Sequence, residues 1–73
     1  MLSSSMIDKL NKQINLEQFS ANLYLQMSAW CDSKGFVGSA EFLRKHATEE
    51  HMHMTRLFSY VSETGALPVL AHV

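Results

Sequence analysis

Residues 43–64 read LRKHATEEHMHMTRLFSYVSET, a run without glycine or proline whose steps of three and four pass through Leu43, His46, Glu50, His53, Leu57, Tyr60 and Thr64. That spacing marks one inward face of an α-helix. Yet Glu50 and His53 stand where apolar side chains belong. The same rhythm runs through Ile7, Leu10, Ile14, Glu17, Ala21, Tyr24 and Ser28 in residues 7–28, IDKLNKQINLEQFSANLYLQMS, with Glu17 in mid-stripe. An unpaired carboxylate taken out of water costs several kcal/mol even after relaxation. Glu17, Glu50 and His53 at core positions therefore need a compensating partner, and a metal ion is the simplest one.

The two stripes predict an all-α chain, an antiparallel two-helix hairpin spanning residues 1–73. Ser5 and Asp8 have the Ser-x-x-Asp form of a capping box, which places a helix start near residue 5. Neither Gly nor Pro interrupts residues 6–34, and Lys34-Gly35 offers a basic last turn and a left-handed cap. The spacing thus predicts a first helix over about 5–33, a turn over about 34–38 with Gly38 or Ser39 as the next N-cap, and a second helix over about 39–64. Gly65 would cap that helix and Pro68 forbids its continuation. Residues 65–73 then begin a further connection.

These boundaries test the metal idea. Glu17 lies 16 residues before Ser33, while Glu50 and His53 lie 13 and 16 residues after Val37. At about 1.5 Å per residue the three depths agree to within roughly 5 Å. The side chains should converge at one level of the hairpin. Glu49 is about 100° round the helix from Glu50 and would look toward the edge of the same site. Tyr24, one heptad from Glu17, reads on spacing alone as a core residue with its hydroxyl satisfied. His46 reads as a hydrogen-bonded core histidine, Met27, Met52 and Met54 as packing residues.

Composition sets the surroundings. At 73 residues the chain buries too small a share of its surface to be comfortable alone. A second apolar ridge on the first helix, Leu16, Phe19, Leu23, Met27 and Trp30, suggests that a partner covers another surface. Six Lys/Arg against seven Asp/Glu give a formal charge of -1, so nothing recruits nucleic acid or an anionic membrane. No apolar run approaches the roughly 20 residues of a membrane span. The single cysteine, Cys31, cannot form an internal disulfide, and residues 1–5 lack the regions of a signal peptide. The expected location is cytoplasmic.

One Glu plus one Glu-x-x-His is half of a known constellation: di-iron carboxylate bundles place a Glu on each of two helices and Glu-x-x-His on each of two others. With it, Asn15-Leu16-Glu17, Leu23 to Cys31, Phe42 to Met54 and Thr64-Gly65-Ala66-Leu67-Pro68 resemble the first two helices of a bacterial non-haem ferritin. The resemblance covers nearly the whole chain. It implies half of a ferritin-like four-helix bundle that stores iron and oxidises Fe(II), with oxygen or hydrogen peroxide as oxidant. It further implies that Glu17, Glu50 and His53 belong to a dinuclear ferroxidase centre, with Glu50 bridging two irons. Glu49 would help hold a third iron, and Tyr24 would be a redox-active tyrosine. His51 falls where haem-containing relatives carry a methionine ligand, but it points off the inward stripe, and haem is not expected.

The chain departs from that family by stopping at the start of the crossover, with half the ligands absent. Either two copies pair about a two-fold axis as a homo-oligomer, alone or within a cage, or the chain is one part of a longer subunit. Two other functions remain open: a di-iron oxygenase or peroxidase with the same ligands, and a non-catalytic helical dimerisation module with buried Glu/His pairs.

Overall fold

The computed structural model describes residues 2–71 and contains two helices, α1 (Ser4–Ser33) and α2 (Val37–Glu63), packed antiparallel in a body of 49 × 20 × 13 Å. Among the described residues there is no strand, as the two stripes predict. Residues 72 and 73 of the predicted connection lie outside the described part.

Start and stop signals act differently at the two helices. The α1 N-cap is Ser3, whose Oγ accepts from the Met6 N–H at 3.1 Å, so the capping box expected at Ser5 and Asp8 does not form. Three consecutive serines can each serve as a cap, and taking the first adds residues to the helix. At the other end Gly35 has φ +81°. Its N–H donates to the Asp32 carbonyl at 3.1 Å and the Phe36 N–H donates to the Cys31 carbonyl at 2.8 Å. These are the two bonds of a Schellman cap, and the apolar contact that accompanies it is Phe36 against Trp30, ring centroids 6.2 Å apart. Phe36 is then already the N-cap of α2, without a side-chain cap bond. Neither Gly38 nor Ser39 is needed, and α2 starts two residues before the expected place.

The interface follows heptads. Ile14, Ala21 and Ser28 on α1 and Ala40, Ala47, Met54 and Val61 on α2 are buried at steps of seven, the first row as the α1 stripe predicts. Ser28 tolerates burial because its hydroxyl donates to the Leu25 carbonyl at 2.6 Å. On α2 the stripe needs correction. Its true contact rows are Ala40, Ala47, Met54, Val61 and Leu43, Glu50, Leu57, Thr64; His46, His53 and Tyr60 lie one residue off centre, and His53 and Tyr60 are exposed. Of the three methionines read as packing residues, only Met54 is buried here; Met27 and Met52 are exposed.

After Gly65 the chain turns and climbs beside α1, held by two asparagines. The Asn11 amide donates to the Leu67 carbonyl at 3.3 Å and its carbonyl accepts from the Val69 N–H at 2.9 Å. The Asn15 amide repeats the pattern with the Val69 carbonyl at 2.8 Å and the Ala71 N–H at 2.6 Å. Four helix residues advance about 6 Å and two extended residues about 6.6 Å, so one asparagine per turn meets each successive dipeptide.

The ridge of Leu16, Phe19, Leu23, Met27 and Trp30 stays 43–65% exposed. A contiguous apolar surface of this kind marks an association site. Light scattering at micromolar concentration is expected to report at least a dimer; a folded 8.3 kDa species would contradict this. For the asparagine clamp, Asn15→Leu removes both tail bonds and should cost about 1–2 kcal/mol at roughly 1 kcal/mol per net hydrogen bond. Chemical denaturation reads the cost, and amide exchange at Ala71 should accelerate while that at Val69, held by Asn11, changes less.

Candidate metal centre

Glu17 and Glu50 occupy equivalent heptad rows of the two helices, Leu10-Glu17-Tyr24-Cys31 on α1 and Leu43-Glu50-Leu57-Thr64 on α2. Antiparallel pairing puts Leu10 with Leu57 on one side of them and Tyr24 with Leu43 on the other. His53 follows Glu50 by less than a turn and reaches back along α2. One ligand atom from each of Glu17, Glu50 and His53 lies within 4.8 Å of the others. The Nδ1 of His53 is 3.6 Å from Glu17 Oε2 and 4.0 Å from Glu50 Oε2. The Glu17 and Glu50 side chains are 15% and 25% exposed, and that of His53 is 52% exposed. The imidazole is thus on the rim rather than in the hairpin core.

Electrostatics divide the two carboxyls. Glu17 Oε1 accepts from the Gln13 amide at 2.8 Å. Its other oxygen, Oε2, is buried and without a partner as long as Glu50, an acceptor, faces it. A proton on Glu50 relieves this: it donates to Glu17 and so, first among causes, holds the Glu50 pKa above the ordinary carboxylate range, with desolvation and the Glu17 charge adding to the rise. The same bond, above all, holds the Glu17 pKa down against desolvation, helped by Gln13 and His53. The two acids are thus shifted in opposite directions, Glu50 up and Glu17 down. A divalent cation would replace the Glu50 proton with full charge compensation, and hard carboxylate oxygens beside an imidazole form a donor set for first-row transition metals.

The remaining candidates lie apart from this group. The Glu49 carboxylate is 3.8 Å from His46 Nδ1, one turn away toward the helix start. His46 is half-buried between the Tyr24 ring at 5.6 Å and the Phe42 ring at 4.5 Å. Tyr24 is half-buried one heptad above Glu17. His51 lines a separate groove of about 440 Å³ with Gln18, Asn22, Leu25, Arg44 and Thr48, which contains none of the ligand group. Gln13 escaped the sequence reading, although its place four residues before Glu17 is the spacing at which helical side chains meet.

The chain belongs to the ferritin-like domain family, whose model matches residues 7–73. It is 56% identical over 73 residues to a probable bacterial non-heme ferritin-like protein of Haemophilus influenzae, covering all of this chain and 44% of that protein. It is also 59% identical over 68 residues to a bacterial non-heme ferritin of Escherichia coli O157:H7, covering 93% of this chain and 41% of that one. The solved Chlorobium tepidum ferritin superposes with TM-score 0.95 at 51% identity, over all of this chain and 45% of that structure. The chain thus spans less than half the length of these relatives. The expected ferritin-like helical class is borne out.

The opposite shifts of the two acids set a pH dependence. Glu50 keeps its proton to higher pH folded than unfolded, so the folded apo chain binds more protons above the ordinary carboxylate pKa, and stability falls as pH rises through Glu50's raised value. Glu17 acts oppositely below the ordinary value, where stability falls as pH drops. The pair's contribution should peak near the ordinary carboxylate pKa and decline toward neutrality. Glu17→Gln should flatten the decline and stabilise the metal-free protein at about pH 8. Urea denaturation with chelator at about pH 5 and about pH 8 checks this; a variant less stable than wild type at the higher pH would make Glu17 a structural ion-pair partner instead.

Proposed function

We propose that this chain supplies half of the iron site of an iron-storage ferritin, and that the site binds Fe(II) as substrate and oxidises it. The observation that carries the reading is the buried, partnerless Glu17 Oε2, which a second acid and an imidazole approach. A chain under selection for stability alone would place a leucine there, as it does at Leu10 and Leu57. The relatives bear names of the same kind, non-heme ferritin and non-heme ferritin-like protein.

In this reading Glu17 and Glu50 neutralise the bound cation and His53 donates a ring nitrogen. Glu50 would bridge to a second iron, as the resemblance implies, so the dinuclear arrangement belongs to the proposal. Two Fe(II) ions each lose one electron; dioxygen as oxidant takes those two electrons and two protons and leaves as hydrogen peroxide, whereas hydrogen peroxide as oxidant takes the two electrons and two protons and leaves as two waters. The protein contributes placement and charge compensation, while the redox chemistry is the metal's. Three donors leave coordination positions open for oxidant and for the second ion. The further ligands come from outside this hairpin, either from a second copy or from further helices, and the open ridge on α1 supports such a partner. Tyr24, one heptad from Glu17, is proposed as the nearby redox-active side chain, and Glu49 as a ligand of a third iron passing inward. Assembly as a homo-oligomeric cage in the cytoplasm is part of the same proposal; among the described residues no helix is long and apolar enough to cross a membrane. An oxygenase would need an organic-substrate pocket beside the ligands, whereas the described groove lies among other residues.

Glu50→Ala is expected to abolish Fe(II) oxidation, followed by absorbance of the ferric product, and to remove the rise in melting temperature given by Zn(II) or Co(II). At a hundred times Kd that rise corresponds to about 2.7 kcal/mol. Glu41→Ala, on the exposed side of α2, should keep both. Equal retention in the two variants would mean that the site lies elsewhere.

A further inference from the structure

We infer that Gln13 is a positioning residue for the metal site: its amide ties one oxygen of Glu17 so that the other alone is presented to the cation. This rests on the metal-binding reading above. A glutamate carboxylate has two equivalent oxygens with about four lone-pair sites, and a free one can turn to bind a cation through one oxygen or both. Here the Gln13 Nε2 donates to Oε1 at 2.8 Å. Oε2 is left buried, without a hydrogen bond, 3.6 Å from His53 Nδ1. The bond spans one helical turn, the spacing at which helical side chains meet, and α2 takes no part. Gln13 therefore aims Glu17 before any metal arrives.

The chemistry of the side chain fits that task. An amide donor orients the carboxylate without cancelling its charge, whereas a lysine or arginine at the same place would also donate but would compete with the cation for that charge. The same bond helps keep Glu17 ionised. Partners that orient a ligand in this way commonly change metal affinity by about 10–100-fold when removed. The plain alternative is an ordinary pair on a helix surface, which would contribute to helix stability and nothing else.

Co(II) binding to the full-length protein separates the two. Calorimetry gives affinity, the visible absorption of bound Co(II) reports its ligand geometry, and thermal melting of the apo protein reports structure. Gln13→Met, similar in shape and without a donor, should weaken Co(II) about 10-fold and alter the absorption band, with apo melting little changed. Glu17→Ala should abolish binding at this site. If Gln13→Met keeps wild-type affinity and spectrum while Glu17→Ala loses the metal, the positioning role is overturned and the site stands. A weakening that merely tracks a lower apo melting temperature, with the band unchanged, overturns it equally. If the wild type takes up no Co(II), or Glu17→Ala still binds it as the wild type does, the site reading and this inference fall together.

Discussion

One carboxylate oxygen organises this hairpin. Glu17 Oε2 lies between two helices in a row otherwise filled by leucine, tyrosine and cysteine, without a hydrogen-bond partner, and a second acid, Glu50, joins it and His53 in a group whose ligand atoms lie within 4.8 Å of one another. Two acids at that distance are stable only with a shared proton or a cation between them. The apolar levels flanking the pair hold the helices at that separation. Ile14, Met54 and Val61, with Leu10, Leu57 and Phe58 packed on them, form the main cluster below it, and small side chains at Ala21, Ala40 and Ala47 continue the contact above. The core thus does two jobs with one set of contacts: it binds the helices together and sets the spacing of groups that would separate if free.

Most of this was legible in the sequence because the polar intrusions interrupt strong periodicity. The α1 stripe holds residue for residue, since the isoleucines and leucine around Glu17 leave one choice of face. On α2 the reading slips by one residue at every second step. His46, His53 and Tyr60 compete there with Ala47, Met54 and Val61 for the inward place, and alanine carries little hydropathy with which to win. A helix of a larger bundle meets more than one neighbour, so two adjacent rows both look inward, and only the hairpin partner decides which is central. The asparagines were illegible for another reason. Asn11 and Asn15 read as solvent-facing surface, although a segment broken by Gly65 and Pro68 must satisfy its backbone groups somewhere, and an Asn at each helical turn is suited to that.

The site and the open surface share one feature: both reach beyond the seam between the two helices. His53 is on the rim, beyond the contact between α1 and α2, and the apolar ridge of α1 is likewise turned away from α2. A hairpin that had evolved to stand alone would place leucines in the seam and polar residues on the ridge. This chain does the reverse in both places, which is what membership of a four-helix family requires of its first two helices. In the proposed reading, stability and further ligands would both come from neighbours outside this hairpin.

The short link between the helices carries a consequence for how such a chain can change in length. Only Lys34, Gly35 and Phe36 separate α1 from α2, and the cap bonds leave them no slack. Glu17 and Glu50, 33 residues apart, thus behave like teeth on two meshed racks. One residue inserted within either helix between them would move its glutamate by about 1.5 Å and swing it by about 100°, taking it out of the seam. Slippage by a whole heptad would restore the angle but bring Glu17 opposite Leu43 or Leu57. A single-residue insertion within either helix between the two acids would thus part them, and one between Leu67 and Ala71 would break the asparagine register instead.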